Sequence, residues 1–385
     1  MHVTSPEEHP GDLSAFADLP DPRRRHCRHP LQELLLVAFA GIASGAQDWV
    51  GVSDWGVLKL EWLRRFLPFE QGVASHDTFN RVFALLDAKA FEACFIRWMQ
   101  PLCPAVEDGP TIAIDGKSVR GSRTGGAAMV HLVSACHTAS GLTLGQVRTA
   151  AKSNEITAIP ELLDAIDVKG ATVTIDALGC QRSIATKIRE RGAEFILSAK
   201  DNQATLAQAI QCLFDHSVRD VERGLLQHDI TLDKGHSRLE TRRCVVAHDV
   251  STLPEAIRQD WPDLKTAIMV ESTREFINGR HQGDASTERR YYISSAAFDA
   301  SEFNRRIRQH WHIENQSHWV LDVVFGEDDC RIYVGHGAQN FAILRRIVLN
   351  LLKRDTSTKA SVRRKWNRLN WSPDYLRSLF GLVPL

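Results

Sequence analysis

This chain of 385 residues has no excess charge of either sign, since lysine plus arginine and aspartate plus glutamate each total 47. A bulk positive field that would draw in a polyanion is thereby excluded, and any such contact must come from local patches. The eight cysteines (Cys27, Cys94, Cys103, Cys136, Cys180, Cys212, Cys244 and Cys330) stand singly with no C-x-x-C pair, which argues against a structural zinc centre. No apolar run is long enough to cross a bilayer, which takes roughly 20 residues. The stretch 34–46 is too short, and 341–352 is broken by Arg345 and Arg346. An export pattern of charged then apolar residues is missing at the N-terminus. Together with the scattered cysteines, this leads to an expectation of a cytoplasmic, nucleoid-associated protein with no membrane contact. There is no internal repeat and no low-complexity tract.

What is present divides by period. Residues 1–20 read as a lead-in ending in Leu19-Pro20-Asp21-Pro22, and a basic cluster follows, Arg23-Arg24-Arg25-His26 with Arg28-His29. From 31 to 101 apolar residues recur at three-to-four spacing, the mark of helices. Ser75-His76-Asp77-Thr78 reads as a helix start, with Ser75 or Asp77 able to cap the first amides. Prolines 101, 104 and 110 with Gly109 mark a boundary, so 1–108 is expected to be a mostly helical N-terminal domain. Short apolar runs then predict strands over 111–115, 130–137, 142–150, 171–176 and 193–199, with helices over 160–166 and 181–191. The order β-β-β-α-β-α-β is that of a ribonuclease H-like α/β fold. A helix over 205–214 and alternating segments at 228–232, 239–248, 266–271 and 289–294 suggest a β-rich insertion, about 203–298, ahead of a helix over 303–320. The catalytic domain is expected to span 109–355. A basic C-terminal segment, 356–385, completes the chain, and Lys353 to Arg368 carries seven cations against Asp355 alone.

Three acidic residues stand out. Asp115 and Asp176 each end an apolar run, and Glu314 lies in the expected helix 303–320. Two strand-end aspartates and a helical glutamate, in that order, suit two Mg²⁺ ions held over a phosphodiester. Mg²⁺ takes oxygen ligands, and carboxylates offset the charge of two cations beside the scissile phosphate. Either aspartate alone could equally be a turn or capping residue. Helical spacing would align His310, Glu314 and His318, so a His/Glu/His zinc site is a second arrangement, and phosphate contact or support of Glu314 a third. Glu327, Asp328 and Asp329 compete with Glu314 as third ligand. Trp311 and Trp319 read as core residues or as platforms for an unpaired base, with core favoured. Lys117, Arg120, Lys152, Asn154, Lys200 and Asn202 flank the aspartates, the kinds of residue that contact DNA phosphates without reading sequence.

The same residues carry a family resemblance. Ile114-Asp115-Gly116-Lys117 with Arg120, Lys152-Ser153-Asn154-Glu155-Ile156, Asp176-Ala177 with Cys180-Gln181, Lys200-Asp201-Asn202-Gln203, Arg289-Arg290-Tyr291-Tyr292-Ile293-Ser294-Ser295 and the stretch 310–328 resemble the H-repeat-associated DDE transposases of bacterial insertion sequences. Asp21-Pro22-Arg23 and Ser75-His76-Asp77-Thr78-Phe79 resemble the helical domain associated with that family. The resemblance implies a ribonuclease H-like core with Asp115, Asp176 and Glu314 as the DDE triad. It also implies two Mg²⁺ or Mn²⁺ ions, and cutting and joining of double-stranded DNA at the element's terminal repeats and at a target. A homodimer is expected in the working complex. The chain departs from a Tyr-x₂-Arg-x₃-Glu-x₆-Lys signature of the broader group, having Ile307, His310 and Leu321 at the three positions around Glu314. The alternatives are a metal-dependent nuclease that does not join, and a DNA-binding remnant without chemistry.

Overall fold

The structure is a computed structural model that describes residues 14–24, 27–103, 109–123, 129–149, 155–215, 221, 224, 226–235, 237–278 and 283–382. Two compact units interleave along the chain: one comprises Met1–Pro104, Gly116–Asn154 and Ile313–Leu385, the other Ala105–Asp115 and Glu155–His312.

The first unit is built on helices α1 (Leu31–Ala43), α2 (Trp49–Leu58), α3 (Leu60–Leu63), α4 (His76–Leu85) and α5 (Ala88–Met99). Asp48 caps α2 by accepting from the Gly51 amide at 2.8 Å, and Asp87 caps α5 through the amides of Lys89 and Ala90. The long helix Gly337–Arg354 buries 16 of its 18 residues. It is packed among α1, α4 and α5, and its buried Asn340, Arg346 and Asn350 are met by polar partners there. Trp49 stacks on Phe83 at 4.5 Å and meets Phe341 edge-on at 4.8 Å. The Asn340 amide donates to the carbonyls of Phe83 and Leu86, closing the end of α4. This unit also holds β2 (Val130–His137) and β3 (Leu142–Thr149), an antiparallel pair with a register shift at Ala135/Cys136. The part of β1 (Thr111–Val119) from Gly116 onward lies beside β2.

The second unit begins with Thr111–Asp115 of β1 and continues through α6 (Glu155–Ala165), β4 (Thr172–Ile175), α7 (Arg182–Glu190), β5 (Glu194–Ala199) and α8 (Ala204–Phe214). Strands β1, β4 and β5 are parallel neighbours. Then β6 (Gln227–Gly235), β7 (Arg238–Ala247), β8 (Thr266–Phe276) and β9 (Ala285–Ser294) form an antiparallel meander. Strand β9 pairs antiparallel with β5, giving the order β1-β4-β5-β9-β8-β7-β6. The expected insertion is therefore β-rich as read, and it extends the sheet of this unit. Helix Ala300–His310 lies against β4, β6 and β7 and buries Phe303 and Ile307 with Ile196, Cys244, Val246 and Ile268.

The expected succession β-β-β-α-β-α-β of strands and helices is present. Strand β1 runs four residues beyond the expected 111–115. The expected continuous helix 303–320 stops at His310 and is followed by a π-helical turn, Ile313–His318, and a short helix, Trp319–Val323. Among the described residues no helix is long and apolar enough to cross a membrane.

Candidate active site

The parallel register runs from Thr111 opposite Thr172 to Ile114 opposite Ile175. One step further, where this pairing ends, Asp115 comes opposite Asp176. Adjacent strands lie roughly 4.8 Å apart, so two half-buried carboxylates stand side by side at the C-terminal end of the pairing. Alternation puts Thr111, Ala113 and Asp115 on one side of β1, and Thr172, Thr174 and Asp176 on the same side of β4. Helix Ala300–His310 runs along that side. The buried Arg306 guanidinium donates to Thr111 Oγ1 at 3.1 Å and Thr172 Oγ1 at 3.0 Å, and it takes Glu302 as its carboxylate at 2.6 Å. One helical turn later His310 Nδ1 shares a hydrogen bond with Thr174 Oγ1 at 2.9 Å. These anchors fix the helix over the strands just before the aspartates.

Asp176 also starts the tight turn Ala177–Gly179, its carboxylate accepting from the amides of Leu178 at 3.1 Å and Gly179 at 3.4 Å. Burial raises its pKa against the pull of the Gly179 amide, and the nearby Glu155 carboxylate pushes the same way, while Lys200 opposes them. An acid that is costly to ionise in isolation gains from a cation beside it. Asp115 and Asp176 offer only oxygen, and strand ends hold them rigidly, which suits a hard divalent cation. Among the described residues no group of three or more histidine, cysteine, aspartate or glutamate side chains is gathered closely enough to hold a metal ion.

The other residues singled out in the sequence fall into different settings. Asn202 donates to the carbonyl of Ala177, bracing the turn that carries Asp176, and Gln203 braces it again through the Cys180 carbonyl at 3.0 Å. Lys200 is exposed. Lys152 and Asn154 lie outside the described residues. Glu314 is exposed within the π-helical turn, a feature that recurs at functional sites. The π-helical turn interrupts the regular α-helical spacing on which the i, i+4, i+8 reading of His310, Glu314 and His318 rests. His310 is neutral rather than cationic, since burial pushes its pKa down to about 4, and it serves as a tie to Thr174 in place of a phosphate contact. His318 is buried.

Lys117 is corrected most strongly. It was expected at a phosphate, but its ammonium is buried among Asp322 at 2.6 Å and Glu327 and Asp328 at 3.3 Å. Burial pulls its pKa down, yet those three carboxylates together hold it above the ordinary lysine value. Arg120 is exposed, and both its amide and its guanidinium turn to Asp328. Glu327 is fully buried against Arg346 at 2.9 Å. Glu327 and Asp328 are thus engaged in ion pairs with Arg346, Lys117 and Arg120. Asp322 was missed in the sequence, because nothing local marks a helical aspartate as the partner of a lysine 205 positions earlier.

Two further readings change. Trp319 is 56% exposed instead of buried, while Trp311 is half-buried under the Arg290 guanidinium at 5.0 Å. Much of the basic C-terminal region is spent internally: Lys353, Arg354 and Lys365 donate to the carbonyls of Gly141, Leu102 and Leu352, and Arg363 to that of Val323. Ile307 and Leu321, two of the positions departing from the broader signature, are buried in apolar cores.

Residues 13–99 match the family model described as DDE_Tnp_1-associated, and residues 107–351 match the transposase DDE domain. The chain is 38% identical over 373 residues to "H repeat-associated putative transposase YhhI" of Escherichia coli K12, covering 94% of this chain and 96% of that protein. It is 38% identical over 372 residues to "Putative transposase YncI" of Escherichia coli O157:H7, covering 96% and 94%. Among solved structures it matches the piggyBac transposase synaptic complex with hairpin DNA at a TM-score of 0.43 and 10% identity, over 97% of this chain and 81% of that one.

Proposed function

The chain belongs to the DDE transposase family, and on that premise we propose that it cleaves DNA at the ends of an insertion sequence and joins them to target DNA. The observation that carries this reading is the β1–β4 register, which leads Asp115 and Asp176 to neighbouring positions at one end of the strands. Asp115, Asp176 and Glu314 are the proposed catalytic carboxylates. Glu314 enters on the family's order of acidic residues, and it follows by four positions the helix that runs toward the aspartates along β4.

The three carboxylates would hold Mg²⁺ or Mn²⁺, and two such ions when bound supply charge neutralisation at the phosphodiester and a more acidic attacking hydroxyl. The chain's own contribution is to fix the acids. Amides of Leu178 and Gly179 orient Asp176, Asn202 and Gln203 hold its turn, and Arg306 and His310 seat the covering helix. Lys200, Asn202 and Arg120 are retained as DNA contacts, together with Lys152 and Asn154. Residues 1–108 are assigned to the family's N-terminal segment, 109–355 to catalysis and 356–385 to an auxiliary basic segment. Two DNA ends have to be brought together, so two copies are proposed in the working complex.

The test is cleavage and joining of a labelled duplex carrying the ends that flank the gene, with Mg²⁺ and then with EDTA, comparing wild type with Asp176→Ala. Metal-dependent cutting and joining by wild type alone is the expected outcome. Cutting without joining would reassign the protein as a nuclease, and equal activity in the two proteins would remove Asp176 from the site.

A further inference from the structure

Two motifs that the chemistry leaves unused, the basic cluster after Asp21-Pro22 and the Ser75–Thr78 helix start, meet in space within the first unit. Arg24, Arg28, His29, Ser75, Thr78 and Arg81 line one surface cavity of about 610 Å³. Among the described residues its lining includes no carboxylate, and Val73 is the one aliphatic side chain in it, which is unsuited to an apolar ligand.

The arginines of this cavity fall into two groups. Arg23, also in the lining, is neutralised by Asp21 at 2.6 Å and donates to the His29 carbonyl, so it shapes the loop. Arg24, Arg28 and Arg81 are exposed, and none of them pairs with a carboxylate among the described residues. By contrast, Arg64, Arg120 and Arg346 of the same unit each have an acidic partner. His29 reports the resulting field: burial and then the Arg28 charge lower its pKa, and its Nδ1 is sealed off without a hydrogen-bond partner.

The hydroxyls complete the lining. Ser75 precedes α4 but does not cap it, for its Oγ faces Thr78 Oγ1 at 3.3 Å. The positive end of a ten-residue helix is therefore left without a side-chain acceptor beside three unpaired guanidiniums. The carboxylate in the first turn of this helix, Asp77, is exposed and turned to His76 at 3.5 Å. Guanidinium forks, hydroxyls and helix amides are the donors that grip phosphate oxygens. A lone phosphate would leave most of the cavity to water, whereas a phosphodiester with its flanking sugars would fill it.

We propose that this cavity is a docking site for the backbone of duplex DNA, separate from the carboxylates, with Arg24, Arg28 and Arg81 as its phosphate contacts. The proposal rests on the reading of the protein as one that acts on DNA, but its test does not depend on cleavage. Binding of the full chain to a fluorescent duplex of about 20 base pairs is measured in EDTA across a salt series. The proteins compared are wild type, Arg28→Ala/Arg81→Ala, Arg28→Lys/Arg81→Lys, and Arg64→Ala as a control outside the cavity. Each phosphate contact removed lowers the slope of log affinity against log salt by about 0.9, so the double alanine variant should lose about 1.8. Between about 50 and 200 mM salt it should therefore lose about tenfold less affinity than wild type does. The lysine pair should hold the wild-type slope, and so should Arg64→Ala.

An unchanged slope in the alanine pair overturns the proposal, as does the absence of any salt-dependent complex with wild type. If inorganic phosphate at matched ionic strength stabilises wild type but not the alanine pair, while the DNA slopes agree, the ligand is a free phosphate and the DNA assignment falls. A loss of slope in a protein that nevertheless fails to cut DNA would keep this site and refute only the catalytic reading.

Discussion

Replacing Glu327 by glutamine isolates one buried charge whose worth can be worked out in two ways. Its carboxylate and the Arg346 guanidinium are both 0% exposed and 2.9 Å apart, and its second oxygen is 3.3 Å from Lys117. Burial pushes the Glu327 pKa up, but Arg346 and then Lys117 more than reverse this and hold it at about 2, below the ordinary 4.5. At about 1.4 kcal/mol per pKa unit, that depression corresponds to roughly 3 kcal/mol of stability. It is fully present above about pH 4.5 and is lost as the pH falls toward 2. Breaking a buried pair by removing one partner typically costs about 3–5 kcal/mol, which agrees. Glutamine keeps an acceptor for Arg346 but not the charge, and relief is limited because the other contact of Arg346 Nη1 is the neutral Ala342 carbonyl at 3.1 Å, while its Nε and Nη2 are buried without a partner among the described residues. Glu327→Gln should therefore lower the urea midpoint at pH 7, read by tryptophan fluorescence, by about 1–3 M. Adding Arg346→Met should recover much of the loss, since a pair replaced by apolar groups leaves no buried charge uncompensated. A single-variant cost below about 1 kcal/mol, or simple additivity of the two substitutions, would refute the reasoning.

Gly179→Ala tests the turn that aims Asp176. A Cβ built there would lie 2.2 Å from Ile175 Cγ2, on a β-branched side chain that cannot swing away, and Gly179 donates its amide to Asp176. Cleavage should fall by at least tenfold, a barrier change of about 1.4 kcal/mol or more, while DNA binding in EDTA is kept; retained cleavage would show that the turn tolerates the shift. Glu92 tests a neutral buried acid. Burial raises its pKa to about 8 even though it accepts the Gln146 amide at 2.9 Å. The unfolded chain releases this proton near pH 4.5 and the folded chain does not, so wild-type stability should fall as pH rises from about 5 to 8, by up to roughly 5 kcal/mol. Glu92→Gln keeps the acceptor and should flatten that fall in urea titrations, and parallel curves for the two proteins would count against a protonated Glu92.

The strand succession was legible because buried strands are short apolar runs closed by glycine or acidic residues, and 171–176 and 193–199 need no partner to be recognised. The meander at 227–294 was legible for a related reason, since its alternation is local. Termini were less so. Strand β1 runs on to Val119, because Gly116 and Lys117 look like a turn until their neighbours are known. The break at His310 was hidden because 303–320 carries helical spacing throughout, and whether an amide closes an i−4 or i−5 bond is a matter of packing.

The sequence by itself therefore determined the order of the elements, the presence of Asp115 and Asp176 at apolar run ends, and the family pattern around them. It could do so because hydrophobic period and turn chemistry act within a few residues. Tertiary structure alone decided the interleaving of the two units along the chain, and within the first unit the enclosure of an almost wholly buried helix near the C-terminus by the N-terminal helices. It also decided which cations are spent. Lys117 is sealed among three carboxylates and Lys365 turns to a backbone carbonyl, while Arg24, Arg28 and Arg81 remain open around one cavity. A cation's role depends on what faces it across space, and those partners lie as far as 211 positions away in the chain.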